Sequence, residues 1–399
     1  MTAPSAHASF RLTRRSLLLG LGATAILGRS RVAFAQAPGE RRLVVVLLRG
    51  GLDGLHVLAP YGDPHHATLR RAIALPEPGR EGGLLDLGGR FGLHPALANL
   101  HAMFRAGEAV LLHAVAAPHR SRSHFEAQDL LEGGGERLIS SGWLNRALQA
   151  MPMEGAVRPG LAVGTAVPLL LRGAAPVGAY WPAGMDRPSP DLMHRLAALH
   201  DAEPLLGPSF REGMRARGFT DQTLGQEREP ERESFPRLAA AAGRLLAEAQ
   251  GPRIAALDLG GWDTHALQAP RILTPLRALD AGLAALRTAL GAHWAQSVVL
   301  VVTEFGRTVR VNGNAGTDHG TAGVAFLAGG AVAGGRVVTD WPGLAPGALF
   351  EGRDLQPTTD IRAVAKALLA QHLGLRPHAV AQAFPGSDSV APMGGLLRG

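Results

Sequence analysis

The fold is decided by the stretch LVVVLLRGGLDG, residues 43–54. Its first six residues are all apolar and lack the alternation of a strand that has one face in water. A continuous apolar run of this length is typical of a strand buried on both faces of a parallel or mixed sheet. A glycine-rich turn and Asp53 follow directly, at the carboxyl end of the strand, where open α/β sheets bind their ligands.

Similar apolar runs recur along the chain, and amphipathic helical patterns separate them. This alternation of strands and helices predicts an α/β sandwich with right-handed crossovers. The predicted strands are residues 43–48, 109–115, 254–259, 298–303 and 324–327, and the predicted helices are residues 95–105, 235–250, 274–293 and 360–373.

The composition excludes several kinds of chemistry. The chain has 399 residues and no cysteine, so it has no disulfide, thiolate zinc site, iron–sulfur cluster, catalytic thiol or cysteine-derived sulfatase nucleophile. The single lysine, Lys366, lies inside an apolar helical pattern, which argues against a phosphate-binding P-loop and against a Schiff base. Any metal must therefore be bound by histidine, aspartate and glutamate.

The first 35 residues have the pattern of an export signal. Arg14 and Arg15 precede an apolar run at residues 17–27, which is too short to cross a bilayer, and the sequence AFA at 33–35 supplies a cleavage site. The paired arginines resemble the twin-arginine signal; an ordinary secretory signal or an uncleaved anchor is the alternative. We expect the twin-arginine export machinery as a partner, a periplasmic or secreted location, and no stable membrane span after cleavage.

The charge balance of the remaining chain argues against a nucleic-acid partner. Of the 40 basic residues, five lie in the predicted signal, which leaves 35 against 33 acidic residues and no arginine-rich stripe among aromatic residues. We expect residues 36–399 to form a single domain with a helical elaboration near residues 190–250, although the length would also permit two domains. Residues 152–190 are predicted to form loops and short strands, and residues 222–234 a solvated surface connection.

Candidate metal ligands cluster around the ends of the predicted strands. Carboxylates and imidazoles on several glycine-flanked loops are typical of an oxygen- and nitrogen-ligated metal site. About six such ligands would hold two metal ions roughly 4 Å apart. Each motif alone also fits a turn, a capped helix or a loop, and only their coincidence at strand ends favours a site. The candidates are Asp53, Asp263, His265, Glu304, Asp318 and His319.

Candidate catalytic residues lie near the same strand ends. Ser123 can be a nucleophile at a helix N-terminus, where an attacked anion is stabilised, and the adjacent His124 is a candidate partner. The alternative for Ser123 is a capping box with Glu126. Arg307 can hold a substrate anion, or it can form a structural ion pair with Glu304.

Taken together and in order, the motifs resemble the exported bacterial family called domain of unknown function 1501. The match extends over most of residues 36–399, and family members commonly carry twin-arginine signals. By fold the family belongs to the alkaline phosphatase and sulfatase superfamily. The resemblance rests on LRGGLDG at 48–54, SRSHF at 121–125, SGWLNR at 141–146, GGWDTH at 260–265, TEFGRT at 303–308 and DHG at 318–320.

The resemblance implies an alkaline-phosphatase-like three-layer sandwich with a mostly parallel central sheet and helices on both faces. It also implies a two-metal site in which Asp53 is the first metal aspartate, Asp263 and His265 are the second pair, and His319 is the late metal histidine. The chain departs from the superfamily where Glu304 and Phe305 replace an Asp-His pair. Losing one imidazole there could reduce the site to one metal, change the metal or abolish catalysis.

We therefore expect an exported, metal-dependent hydrolase of phosphate or sulfate esters, acting on a small-molecule or polymer substrate, with Ser123 or a metal-bound water as the nucleophile. The cofactor would be one or two divalent ions of zinc, manganese, calcium or magnesium. The alternative is a non-catalytic periplasmic binding or assembly scaffold that keeps the hydrolase fold.

Overall fold

The computed structural model describes residues 40–151, 160–164, 166–180, 222–224 and 234–399. The predicted export signal lies outside these residues. So do most of the predicted surface connection, residues 152–159, 165 and 181–190 of the predicted loops, and residues 190–221 and 225–233 of the predicted helical elaboration. Among the described residues, no helix is long and apolar enough to cross a membrane.

Nine strands of the described chain form the central sheet. Their order is β11-β5-β10-β9-β1-β8-β6-β7, with β12 also paired to β5, and β2, β4 and β3 form a small separate sheet. All five predicted strands are present. The strands are β1 Arg42–Leu48, β2 Leu58–Ala59, β3 Leu85–Asp86, β4 Gly92–Leu93, β5 Ala109–Ala116, β6 Gly160–Val163, β7 Val177–Tyr180, β8 Ile254–Leu259, β9 Ser297–Thr303, β10 Gly323–Ala328, β11 Arg336–Val338 and β12 Thr359–Asp360.

The four predicted helices are also present, with shifted ends. The helix predicted at residues 274–293 ends at Leu290, because Gly291 adopts a φ of 54° that suits glycine. The helix predicted at residues 360–373 changes to a π-helical turn from Leu368. The helices are α1 Gly54–Val57, α2 His66–Leu69, α3 Ala98–Arg105, α4 His124–Gly133, α5 Trp143–Gln149, α6 Phe235–Ala247, α7 Gln268–Arg271, α8 Leu273–Leu290, α9 Ile361–Ala367 and α10 Pro377–Ala383.

Strand β1 lies at the centre of the sheet and is buried along its whole length. Its even-numbered residues from Val44 to Leu48 pack in one core, with α3, α6 and α8. Its odd-numbered residues from Leu43 to Leu47 pack in a second core, with α5, α9 and α10. Each fully buried side chain of this size contributes about 1.5–3 kcal/mol. The predicted three-layer sandwich with helices on both faces is therefore confirmed.

The direction of β10 brings the loop that precedes it to the edge of the sheet at which the predicted site residues lie. β10 runs antiparallel to its neighbours β5 and β9, whereas all other pairings in the central sheet are parallel. The start of β10 therefore lies at the same edge as the ends of β1, β5, β8 and β9. A β-bridge between Arg307 and His319 joins the loop after β9 to the loop before β10.

Asp280 on α8 joins two helices of one layer. Its Oδ1 accepts a hydrogen bond from the Leu100 amide (2.9 Å), and its Oδ2 accepts from the amide (3.1 Å) and the side chain (2.8 Å) of Asn99. These amides belong to the first turn of α3, whose own N-cap, Leu97, makes no side-chain cap. Asp280 therefore supplies from another helix the acceptors that a capping residue would supply locally.

We expect Asp280→Ala to lower the free energy of unfolding by about 1–3 kcal/mol, because buried helix donors lose their acceptors. Urea denaturation of the purified protein measures the change. The matched control is Asp340→Ala at an exposed aspartate, which should leave stability unchanged. An equal loss in both variants would contradict the capping role.

Candidate metal centre

A buried guanidinium holds together the loops that carry the candidate residues. Arg307 is 1% exposed, and its Nε donates to the Gly51 carbonyl (2.8 Å). Its two terminal nitrogens donate to the carbonyls of Thr317 (2.9 Å) and Gly50 (2.6 Å). It also contacts the carboxylate of Asp263. The loops after β1 and β8 and the loop before β10 are therefore fixed to one side chain, and the partner of Arg307 is Asp263 rather than Glu304.

Three imidazole nitrogens converge on one carboxylate oxygen at this edge. Asp263 Oδ1 lies 3.0 Å from His265 Nε2, 3.3 Å from His319 Nε2 and 3.6 Å from His124 Nε2. The ligand atoms of His124, Asp263 and His319 all lie within 4.8 Å of one another. We call His124, Asp263, His265 and His319 the donor cluster.

Each imidazole of the donor cluster is oriented from behind through its Nδ1 atom. His124 Nδ1 donates to Glu304 Oε1 (2.7 Å), His265 Nδ1 to Asp318 Oδ1 (3.1 Å), and His319 Nδ1 to the Arg122 carbonyl (2.8 Å). Because these acceptors carry no proton of their own, each neutral ring has its lone pair on Nε2, directed at the cluster. Hydrogen-bonded rings of this kind are typical of metal-binding histidines.

The donor cluster requires a positive charge among its nitrogens. The Nε2 atoms of His265 and His319 lie 2.9 Å apart, and two unprotonated nitrogens at that distance repel each other. Either a shared proton or a metal ion relieves the repulsion. Three imidazole nitrogens and one carboxylate oxygen form a four-donor set that suits a divalent transition metal, so the residues present fit one such ion.

Glu304 lies behind the donor cluster. Its Oε1 accepts hydrogen bonds from the Gly50 amide (2.9 Å) and Gln128 Nε2 (3.0 Å) in addition to His124. Its Oε2 accepts from the Thr303 hydroxyl (3.0 Å). With both oxygens engaged, Glu304 acts as the acceptor that sets the tautomer of His124.

The pKa values at the site favour the protonation states that metal binding needs. Burial alone would raise the pKa of Asp263, but the hydrogen bond and charge of Arg307 hold it below its usual value. Burial would likewise raise the pKa of Glu304, yet the donors of Gln128 and His124 lower it. Burial and then the neighbouring His124 and Arg307 lower the pKa of His319. At neutral pH the carboxylates are ionised and His319 is neutral.

Asp53 belongs to a different arrangement. It is 1% exposed and forms a buried ion pair with Arg70, and Gln268 Nε2 donates to the same oxygen (2.6 Å). Arg70 also donates to the carbonyls of Thr308 (3.0 Å) and Val309 (3.2 Å). Burial would raise the pKa of Asp53, but the charges of Arg70 and His56 and the hydrogen bonds from Gln268 and Arg70 together lower that pKa. Asp53 therefore neutralises a buried cation under the site, and it does not share in the donor cluster.

Ser123 is the N-cap of α4, as its sequence context predicts, but its side chain makes no capping hydrogen bond. The predicted capping box is therefore wrong. The Ser123 amide donates instead to the Ser121 hydroxyl (3.1 Å), while Glu126 lies 3.7 Å from His119. The Ser123 side chain is exposed beside His124.

The predicted site residues thus separate into three groups. Asp263, His265 and His319 meet in the donor cluster, together with His124, which the sequence placed among the catalytic residues. Glu304 and Asp318 accept hydrogen bonds from the Nδ1 atoms of His124 and His265 and so orient these rings. Asp53 is paired with Arg70 and is not part of the donor cluster. Gln128 was missed. Its spacing of four from His124 puts both residues on one face of α4, so the sequence carried a usable signal.

A family model described as "Protein of unknown function (DUF1501)" matches residues 109–384, more than half of the chain. The chain belongs to this family. The DUF1501 match includes the whole donor cluster and Arg307, whereas β1 and Asp53 precede it. No curated protein matches the chain.

Several solved structures resemble this DUF1501 chain. The structure of Ps i-CgsB in complex with k-i-k-neocarrahexaose is 10% identical over 88% of this chain and 75% of that chain, with a TM-score of 0.42. The C-terminal periplasmic domain of EcEptC from Escherichia coli, in complex with Zn, is 10% identical over 73% of each chain (TM-score 0.35). The phosphonate monoester hydrolase of Agrobacterium radiobacter is 12% identical over 84% of this chain and 74% of that chain (TM-score 0.36). Likenesses at these scores carry no conclusion about the chemistry of this chain.

We expect Arg307→Lys to destabilise the protein by about 3–5 kcal/mol, although the charge is kept. A lysine ammonium cannot reproduce the planar fork, so buried carbonyls lose their donors and the ion pair with Asp263 is broken. Chemical denaturation measures the loss. Arg310→Lys, at an exposed arginine three residues later, is the control and should be neutral; a neutral Arg307→Lys would contradict the bridging role.

Proposed function

We propose that this DUF1501 protein is an exported, metal-dependent hydrolase of phosphate or sulfate esters. The observation that carries the proposal is the convergence of three Nε2 atoms on Asp263 Oδ1, each imidazole being fixed through its Nδ1. The ester class follows from the sequence resemblance to the alkaline phosphatase and sulfatase superfamily. The substrate is a small-molecule or polymer ester, and nucleic acid is not a partner.

The cofactor in this proposal is one divalent ion. Imidazole-rich sites suit zinc better than calcium or magnesium, which prefer sites made of oxygen atoms. We propose no second ion at Asp53, because its carboxylate lies outside the group of ligand atoms formed by His124, Asp263 and His319. Its Oδ2 is engaged by Arg70 and Gln268, and its Oδ1 is buried without a hydrogen-bond partner among the described residues. Asp263, His265 and His319 with His124 would hold the single ion. When bound, it would act as a Lewis acid toward an ester oxygen.

The protein's own groups orient the donor cluster and supply the nucleophile. His124 Nε2 lies farther from Asp263 Oδ1 than the other two Nε2 atoms do. The Glu304 carboxylate accepts the Nδ1 proton of His124 and so keeps the Nε2 lone pair of this ring directed at the donor cluster. Ser123, exposed and free of a capping bond, is the proposed nucleophile. Arg307 has its donors engaged by protein oxygens, so its proposed role is to position Asp263.

Export and domain organisation are part of the proposal. Residues 1–35 would form a twin-arginine signal, and residues 36–399 would act as one domain in the periplasm or outside the cell. The compact unit from Ala37 to Gly399 supports this boundary, which lies within two residues of the predicted cleavage site.

A second candidate function is a non-catalytic periplasmic scaffold. The observation that favours it is the pairing of two predicted ligand carboxylates with buried guanidinium groups, Asp53 with Arg70 and Asp263 with Arg307. In a scaffold these pairs would only stabilise the sheet edge, and the imidazoles would share a proton rather than bind an ion.

Elemental analysis of protein purified without chelator tests the two functions. We expect about one transition-metal ion per chain, and we expect Asp263→Ala and His265→Ala to lose it, because each removes a donor. The control His378→Ala, at an exposed histidine on α10, should keep the metal. Added zinc should also raise the melting temperature of the metal-free parent, because an ion that binds only the folded state stabilises it.

Two ions per chain would contradict the single-ion proposal. No bound metal, together with no thermal stabilisation by divalent ions, would overturn the hydrolase and leave the scaffold.

A further inference from the structure

Two exposed apolar side chains lie next to the donor cluster along the chain. Among the described residues, three large hydrophobic side chains are exposed: Phe125 (86%), Leu138 (61%) and Leu267 (57%). Phe125 directly follows His124, and Leu267 is two residues after His265. A single exposed apolar residue needs no explanation. Two of the three, however, lie within two residues of a donor histidine, which is a pattern at the site.

The backbone of Leu267 is also unusual. Its φ of 49° lies in the left-handed region, which costs a leucine more than it costs glycine or asparagine. The conformation is held because the Leu267 amide donates to the Asn314 carbonyl and the Gln268 amide to the Ala315 carbonyl, both at 2.9 Å. Neither core packing nor backbone preference accounts for a leucine here, and strained residues of this kind concentrate at ligand sites.

The donor cluster is partly open to solvent. The side chains of Asp263 and His265 are 46% and 45% exposed, whereas those of His124 and His319 are 23% and 24% exposed. A tetrahedral anion that reaches the Nε2 atoms must therefore point its organic group outward. Consecutive Cα atoms are about 3.8 Å apart, so the Cα atom of Phe125 lies about 3.8 Å from that of His124, and the Cα atom of Leu267 lies within about 7.6 Å of that of His265.

On the basis of the proposed function, we propose that Phe125 and Leu267 form an apolar rim that binds the organic part of the ester. We define the apolar rim as these two side chains. The substrate class is then a phosphate or sulfate monoester of an aromatic or bulky apolar alcohol. Stacking on Phe125 and contact with Leu267 favour such a group over a short polar one.

Calorimetric titration of the full zinc-loaded protein tests the apolar rim with two non-hydrolysable probes, phenylphosphonate and methylphosphonate. Both carry the same anionic head, and only the first carries a ring. We expect the parent to bind phenylphosphonate at least about tenfold more tightly, the range that apolar contacts give in enzyme specificity. Phe125→Ala and Leu267→Asn should remove most of this difference and leave methylphosphonate binding unchanged.

Leu267→Asn separates a role in binding from a role in stability, because the two roles predict opposite changes in melting temperature. Asparagine tolerates the left-handed backbone, so the variant should melt at a higher temperature than the parent while it loses its preference for the phenyl probe. Leu138→Ala, at the third exposed apolar residue, is the matched control and should change neither property.

The possible failures are distinguishable. If the parent binds both probes equally, or if the variants keep the phenyl preference, the apolar rim is overturned and the hydrolase proposal stands. If the zinc-loaded parent binds neither probe, the ester hydrolase itself is overturned, and the apolar rim with it.

Discussion

The buried guanidinium of Arg307 is the constraint around which the functional edge of the sheet is organised. A cation removed from water is tolerated only when its donors are met. Here the acceptors are carbonyls of Gly50, Gly51 and Thr317 and the carboxylate of Asp263, which lie on three separate loops. The hydrogen bonds of this cation can therefore form only when the three loops come together. Asp263 takes part in both the ion pair and the donor cluster, so the stability of the edge and the geometry of the centre are coupled.

Much of the fold follows from apolar patterning, because a strand buried on both faces needs an unbroken apolar run. β1 and β9 show such runs, and the sequence located both. The three residues of β11 and the four of β6 are too short to show a period, and they exist only because a neighbouring strand supplies the hydrogen bonds. Pairing with neighbouring strands therefore determines that β11 and β6 form, and the local sequence does not.

The candidate site was less predictable, because position at a strand end does not say which way a carboxylate faces. Glu304 and Asp318 lie at the expected edge, yet they contact the backs of imidazole rings. Asp53 pairs with Arg70, which lies in a segment without any strand or helix pattern that would mark it. The partner of a buried charge is set by the tertiary structure, and no periodic pattern in the sequence indicates which residue it will be.

The separation of the donors along the chain sets when the centre can form during synthesis. Arg122, whose carbonyl orients His319, is 197 residues away from it in sequence. Closing so long a loop costs conformational entropy before any contact offsets it, which makes such pairings late events in folding. A nascent chain that has not yet released β10 from the ribosome cannot assemble the three imidazoles. The centre is thus a property of the finished chain, so the ion proposed above would be bound only after synthesis, in whichever compartment the sheet closes.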